Sequence, residues 1–228
     1  MHSTLTLSPM PENKPIREIA YETLKHAIIT GDIPAGERIV ETEYAGKLHI
    51  SRTPLREALR KLERDGLVEY VIRRGVVVRA FTLEDVSQIY TIRNTLELLT
   101  LPMTVENVTE QDIAELREKL DEIDQCLANN NIIGMAALSR VFHNRIIRIS
   151  GKNRILRVIE TQDEYITRFS ALAIKQENRR AAAQAEHHRI VDMLEARDLK
   201  GLESIMSEHI EHSKQYCVQA LELEQKKA

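Results

Sequence analysis

The chain has 228 residues, a net charge of −3 at pH 7, no tryptophan and only three phenylalanines. This length allows two modest domains, whose cores must be filled mainly by aliphatic side chains. The two cysteines, Cys126 and Cys217, form no CxxC pair, which argues against a disulfide framework and favours the reducing cytoplasm. No apolar run approaches the roughly 20 residues of a membrane-spanning helix, so we expect a soluble protein without a membrane partner.

The start of the chain predicts a tail followed by a helix. Residues 1–15 contain three prolines and no apolar stretch typical of a signal peptide, so we expect a flexible tail. From Ile16 to Thr30 apolar residues recur on one helical face, and Gly31 can end that helix. The loop that follows, GDIPAGER, is rich in turn residues.

The weakly acidic net charge hides an asymmetry between the two parts of the chain. Residues 1–81 contain 13 Lys and Arg against 11 Asp and Glu, whereas residues 82–228 contain 19 against 24. Between residues 50 and 79 there are eight basic and four acidic residues. Because phosphates meet the local charge of a protein surface, this segment favours a nucleic-acid partner for the first part of the chain.

Within that segment, arginine recurs every fourth residue, at Arg52, Arg56, Arg60 and Arg64. A second helical face carries the apolar side chains Leu55, Ala58, Leu59 and Leu62. A helix of this pattern packs against a small core while it presents cations to a polyanion. A charged run of this kind is also typical of an ordinary solvated face, and the flanking elements favour the first interpretation.

Those flanking elements complete a known DNA-binding architecture. A shorter apolar helix, roughly residues 41–48, precedes the arginine-bearing helix across a turn at 49–51, and YVIRRGVVV predicts a hairpin with an Arg-Arg-Gly tip. Together they predict a winged helix-turn-helix at residues 16–80. We expect Thr53 to cap the second helix, Pro54 to be its first residue, and Ser51 to lie in the turn near a phosphate.

Arg52 and Arg56 lie nearest the N-terminus of that helix, the end that enters the major groove in helix-turn-helix proteins. We therefore expect at least one of them to contact a guanine edge. Arg60 and Arg64 lie further along the helix and project in a different direction from Arg52. We expect them to bind phosphates or form salt bridges.

Beyond Phe81 the pattern becomes helical almost to the end of the chain. Thr82 begins the first helical segment, and turn residues divide the remainder into about six helices of 15 to 25 residues. We predict that residues 81–228 form an all-α bundle. The whole protein is then mainly α, with a winged helix-turn-helix domain followed by a helical bundle.

Helical phase places His187 and His209 of the predicted bundle among inward apolar residues and His143 at the rim of such a stripe, so we treat all three as inward. A single inward histidine is more often an ordinary core residue. Three on separate helices can converge on one divalent ion such as Zn or Ni. Arg93 also falls on an apolar stripe, where a buried cation needs a partner. That partner is either Glu97, one turn along the helix, or the carboxylate of a small effector.

The sequence resembles a known family in two places. The run ISRTPLREALRKLERDGLV, preceded by GDIPAGERI, is similar to the DNA-binding domain of the GntR family of bacterial transcription regulators over about residues 16–79. VFHNRI, GKNRIL, AEHHRIV and MSEHI stand in the order found in the FCD domain of the FadR subfamily. The resemblance implies effector binding and dimerisation by residues 81–228.

The resemblance also implies roles for individual residues. Positions matching His143, His187 and His209 supply metal ligands in that family, and an arginine at the position of Arg93 often binds the effector. This chain departs from the family at Ser139, where an acidic or amide ligand is usual. DNA contacts are implied or expected at Arg38, Thr42, Ser51, Arg52, Thr53, Pro54, Arg56, Arg74 and Gly75.

These observations favour a ligand-responsive DNA-binding transcription regulator. We expect a homodimer that binds a double-stranded operator with an inverted repeat and senses a small carboxylate. The alternative is a metal-dependent enzyme with an accessory DNA-binding domain, although no HExxH, GxSxG, P-loop or GxGxxG motif is present. A purely structural helical scaffold would leave the arginine-bearing helix and the basic hairpin unexplained.

Overall fold

A computed structural model describes residues 14–225 of the chain. All but the last two residues of the tail expected at 1–15 lie outside the described residues. The chain divides into two compact units, with the boundary between Phe81 and Thr82. The first unit is a winged helix-turn-helix and the second is all-helical, so the predicted fold class is confirmed.

The first unit packs three helices against a small sheet. These helices are α1 (Ile16–Thr30), α2 (Glu41–Lys47) and α3 (Arg52–Arg64). Gly31 ends α1 with a φ of 89°, in the left-handed region that glycine adopts without strain. The apolar face of α3 is buried as its periodicity predicts, with Leu55 and Leu62 fully enclosed.

The start of α3 differs from the expectation. The helix begins at Arg52, Ser51 occupies the N-cap position without a side-chain capping bond, and Thr53 is therefore not the cap. Pro54 becomes the third helical residue instead of the first. Because the first N–H groups of a helix have no acceptor within it, proline fits anywhere in this turn.

The sheet is antiparallel with strand order β1-β3-β2, formed by β1 (Arg38–Ile39), β2 (Val68–Val71) and β3 (Gly75–Val78). The predicted hairpin corresponds to β2 and β3, and residues 72–74 form its tip. This hairpin, residues 68–78, is the wing of the winged helix-turn-helix. The two-residue strand β1 was not predicted. Its Arg38 pairs with Val77, which ties the loop after α1 to the wing.

The second unit contains seven helices in its described part, whereas about six were expected. They are α4 (Leu83–Asn107), α5 (Glu110–Ala128), α6 (Ile132–Ile149), α7 (Asn153–Glu160), α8 (Asp163–Ala173), α9 (Glu177–Glu195) and α10 (Leu199–Gln225). The expectation of about six was wrong because a turn at Thr161 and Gln162 separates α7 from α8. Neither proline nor glycine marks that turn, so periodicity alone did not reveal it.

Packing in the second unit brings the helices α4, α6, α9 and α10 together. Helix α10 packs along α4, α8 and α9, while α5 packs on α6 and α9, and α6 also contacts α4. The inner faces of α4, α6, α9 and α10 carry the candidate site described below. None of the described helices is long and apolar enough to cross a membrane.

Candidate functional site

Three histidines converge inside the second unit. His143 on α6, His187 on α9 and His209 on α10 are all at most 2% exposed. Their nearest ring nitrogens lie within 4.8 Å of one another. Helical phase placed His187 and His209 inward and His143 at the rim of its apolar stripe, and the structure buries all three and brings them together.

Each of these imidazoles is oriented by a partner at Nδ1. The pairs are His143 with Glu97 Oε2 (2.7 Å), His209 with Glu186 Oε2 (2.7 Å) and His187 with Gln184 Oε1 (3.1 Å). Because an ionised carboxylate only accepts hydrogen bonds, Nδ1 of His143 and of His209 is the donor. The Nε2 lone pairs are then available at the centre of the cluster, as in metal sites whose histidines are held by outer carboxylates.

The centre of the cluster has the chemistry of a cation site. The Nε2 atoms of His143 and His209 are only 3.2 Å apart, so two lone pairs face each other. Ser139 Oγ lies 3.2 Å from Nε2 of His187, at the position where the resemblance implies a fourth ligand. Three neutral imidazoles with an open position suit Zn or Ni, with water or a ligand oxygen completing the coordination.

Burial keeps these imidazoles neutral. It lowers the pKa of His143 and of His209 to about 3 and lowers the pKa of His187 well below its usual value. At neutral pH each imidazole carries a single proton, so the Nε2 atoms that face the centre carry none that a metal ion would have to displace.

Arg93 is buried, as its position on the apolar stripe of α4 predicts. Its Nε donates to Glu97 Oε1 at 2.9 Å, and Arg140 Nη1 donates to the same oxygen at 3.0 Å. Burial alone would raise the pKa of Glu97, but the charges of Arg93 and Arg140, together with the hydrogen bond from His143, hold it well below its usual range. The expected partner of Arg93 thus also orients a histidine.

Besides Arg93, two further arginines of the second unit, Arg140 and Arg179, are buried, and the sequence analysis missed both. Arg179 on α9 is 1% exposed, and its Nη1 and Nη2 donate to the two oxygens of Glu186 at 2.9 and 2.8 Å. Its Nη2 also donates to Ser213 Oγ at 3.0 Å, whereas its buried Nε has no hydrogen-bond partner within residues 14–225. Arg179 lies one helical turn before Ala183 on the stripe that contains His187, a signal that was available in the sequence.

The first unit carries the expected DNA contacts on its exposed surface. Thr42 lies on α2, Ser51 precedes α3, Thr53 and Pro54 lie in the first turn of α3, and Arg74 is at the tip of the wing. Of the expected contacts, seven are exposed, and Pro54 and Gly75 are half-buried. A Cβ added to Gly75 would lie 4.0 Å from Nε of Arg38, so the Arg38 side chain lies beside the wing.

Arg52 and Arg56 project from the N-terminal half of α3, and both side chains are 55% exposed. They share one partner, Glu41 on α2. Its Oε2 accepts from Arg56 Nε at 2.7 Å and from Arg52 Nη2 at 3.2 Å. The sequence did not indicate this contact.

Comparison with known proteins matches a domain family to each of the two units. Residues 16–78 match the model of bacterial regulatory proteins of the gntR family, and residues 88–212 match the FCD domain model. The HTH-type transcriptional regulator YdhC of Bacillus subtilis (strain 168) is 28% identical over 203 residues, which cover 89% of this chain and 91% of that protein. The Nta operon transcriptional regulator of Aminobacter aminovorans is 31% identical over 176 residues, covering 77% and 82%.

A solved structure shows the same fold. Escherichia coli McbR/YncC superposes with a TM-score of 0.72 at 23% sequence identity, covering 91% of this chain and 99% of that one.

Proposed function

Because the chain belongs to the GntR family of bacterial regulatory proteins and carries an FCD domain, it is a DNA-binding transcription regulator, and we propose that it responds to a small organic acid. The family and the relatives are regulators, so the alternative of a metal-dependent enzyme has no support. The observation that carries the sensing proposal is the buried triad of imidazoles beside Arg93.

In this proposal α3 enters the major groove and the wing contacts the neighbouring backbone. Arg52 and Arg56 supply base contacts, since both are exposed near the N-terminus of α3. The remaining contacts are assigned to Arg38, Thr42, Ser51, Thr53, Pro54, Arg74 and Gly75, which bind phosphates, sugars or adjacent bases.

The experiment compares Arg56→Ala with Arg64→Ala, which removes the same charge from the far end of α3. Each variant is titrated with an operator selected by the wild-type protein from a randomised DNA library. Loss of a bidentate guanine contact should cost Arg56→Ala about 1–3 kcal/mol and relax base preference at one position. Arg64→Ala should weaken all duplexes alike. An unchanged preference in Arg56→Ala would refute this placement of α3.

We propose further that His143, His187 and His209 hold a divalent ion through Nε2. Their Nδ1 partners, Glu97, Gln184 and Glu186, support this by fixing the rings. A bound ion would act as a Lewis acid toward an anionic oxygen.

The effector is proposed to place a carboxylate on Arg93. Because Glu97 engages Nε of that guanidinium, the edge formed by its two Nη groups is left for a bidentate contact. The buried Nε of Arg179, which lacks a hydrogen-bond partner among the described residues, offers a further donor for a ligand oxygen.

Arg93→Lys tests this assignment because it keeps the charge and removes the planar fork. A small carboxylate that binds only the folded state should raise the thermal midpoint of the wild-type protein. We expect that shift to be lost in Arg93→Lys and kept in Arg148→Lys, which changes an exposed arginine of α6. Equal shifts in all three proteins would exclude Arg93 as the carboxylate ligand.

We also propose a homodimer on an inverted repeat, located in the cytoplasm, where the operator is. One α3 helix buries too little surface for tight specific binding, and a two-fold dimer matches a palindromic site. The effector then changes DNA affinity only as far as it prefers one arrangement of the dimer over another.

A further inference from the structure

Glu41 is the first residue of α2, and its carboxylate lies between the two arginines that are proposed to contact bases. The side chain is 28% exposed, whereas those of Arg52 and Arg56 are 55% exposed. A single oxygen, Oε2, accepts from both guanidinium groups. The carboxylate therefore lies beneath the two cations and leaves their outer edges accessible.

The contact changes what the two arginines can do. They are one helical turn apart, so without a carboxylate between them their like charges repel. A free arginine on an exposed helix also samples many rotamers, and that freedom is lost when it binds a base. A carboxylate that binds both groups before DNA arrives removes part of this cost.

Glu41 is ionised when it does so. Partial burial would raise its pKa, but the hydrogen bonds from Arg56 and Arg52 hold the pKa below its usual value. The carboxylate is thus available to both guanidinium groups at neutral pH.

The guanidinium nitrogen that Glu41 binds in each arginine determines which edge of that guanidinium is left to contact DNA. Arg56 is held through Nε at 2.7 Å, so its end-on edge, formed by Nη1 and Nη2, remains for a partner. That edge can donate two parallel hydrogen bonds to O6 and N7 of a guanine. Arg52 is held more loosely, through Nη2 at 3.2 Å.

We propose that Glu41 is a positioning residue for guanine recognition, which orients Arg56 first and Arg52 second without itself contacting a base. This inference rests on the proposed placement of Arg52 and Arg56 at base edges. It goes beyond that placement because it assigns part of the sequence preference to an acidic residue on the other helix.

The test uses Glu41→Ala, Glu41→Gln and the matched control Glu43→Ala. Glu43 lies in the same first turn of α2 and pairs with Lys47 at 2.6 Å, so its removal changes the charge equally without touching Arg52 or Arg56. Dissociation constants are measured for the selected operator and for the same duplex with its contacted guanines replaced by adenines. The dissociation constant for the guanine-free duplex, divided by that for the selected operator, is the ratio that reports base preference; a larger ratio means stronger preference for guanine.

Removing a carboxylate near phosphates should tighten binding to the guanine-free duplex in Glu41→Ala and Glu43→Ala alike. Of the two alanine variants, only Glu41→Ala should lower the ratio, by on the order of tenfold, since disordered arginines discriminate less well. Glu41→Gln, whose amide oxygen still accepts a hydrogen bond, should give an intermediate ratio. Thermal midpoints of the two alanine variants should agree, because exposed ion pairs stabilise little.

An unchanged ratio in Glu41→Ala, with tighter binding to both duplexes, would show that Glu41 only repels DNA and would overturn the proposal. A lower thermal midpoint with parallel loss on both duplexes would assign it a structural role and overturn the proposal as well. Measuring Arg56→Ala on the same duplexes distinguishes failure of the proposed placement of α3 from failure of the proposed role of Glu41. If it keeps the wild-type ratio, the placement of α3 fails; if it alone loses the ratio, only the role of Glu41 fails.

Discussion

The buried imidazoles of the second unit couple its stability to pH. Burial holds the pKa of His143 and His209 at about 3 in the folded protein, against about 6.5 in an unfolded chain. Between these values the unfolded chain binds protons that the folded protein does not. The stabilisation is therefore fully present above about pH 6.5 and is lost as the pH falls toward 3.

We predict that metal-free protein loses stability between pH 7.5 and pH 5.5, by roughly 1.4 kcal/mol for each histidine that is buried without charge. Urea unfolding at several pH values measures this directly. His209→Asn should reduce the change in the free energy of unfolding over this pH range by about the contribution of one histidine. A free energy of unfolding that stays constant over this range would contradict the neutral, buried triad.

Ser139 is the weakest member of the candidate metal centre. Its hydroxyl lies 3.2 Å from Nε2 of His187, close enough for an aspartate at this position to reach the same ion. We predict that Ser139→Asp tightens Zn or Ni binding on the order of 10- to 100-fold, because a carboxylate adds both a ligand and a compensating charge.

Competition with a chromophoric chelator measures the affinity of Ser139→Asp. The control is Ser204→Asp, which adds the same charge at an exposed position on α10. If both variants bind the metal no more tightly than the wild-type protein, the three histidines do not share an ion.

The starts of α4 and α5 are fixed by hydrogen bonds between residues that are close together in the sequence. At α4, Thr82 Oγ1 accepts from the N–H of Asp85 at 3.0 Å, and the Asp85 carboxylate accepts from the N–H of Thr82 at 2.8 Å. This reciprocal capping satisfies two N–H groups that have no acceptor within the helix. The same arrangement at Thr109 and Asp112 begins α5.

We predict that Thr82→Ala lowers the free energy of unfolding of the second unit by about 1 kcal/mol, since the capping hydrogen bond is lost. Thr91→Ala, an exposed change in the interior of α4, should alter it by no more than about 0.5 kcal/mol. Urea unfolding of both variants provides the comparison. Equal effects would mean that packing, and not the cap, determines where α4 begins.

The whole molecule is expected to act as a pair of chains. We predict a mass of twice 26.2 kDa by light scattering and two chains on one full operator. A duplex that contains a single half-site should bind much more weakly, because only one α3 then contacts bases. A monomer at micromolar concentration that binds the full operator one to one would contradict the dimer.

Patterns within short stretches of the sequence predicted several helices, the wing and the candidate site residues. The arginines of α3, the turn before it, the wing and the inward phase of His143, His187 and His209 all depend on neighbours within one or two helical turns. Because helical and strand periodicity are local properties, they can be read without knowing the fold. The same holds for Arg93, whose partner Glu97 lies four residues away on α4.

The contacts that join distant segments required the tertiary structure. Glu97 lies 46 residues from His143, and Arg56 lies 15 residues from Glu41, so neither contact has a sequence period. Which acceptor meets each imidazole depends on how α4, α6, α9 and α10 pack, and packing selects among many side chains of suitable chemistry. Sequence periodicity therefore identified the candidate ligands and cations, whereas their partners were determined only by the packing of the helices.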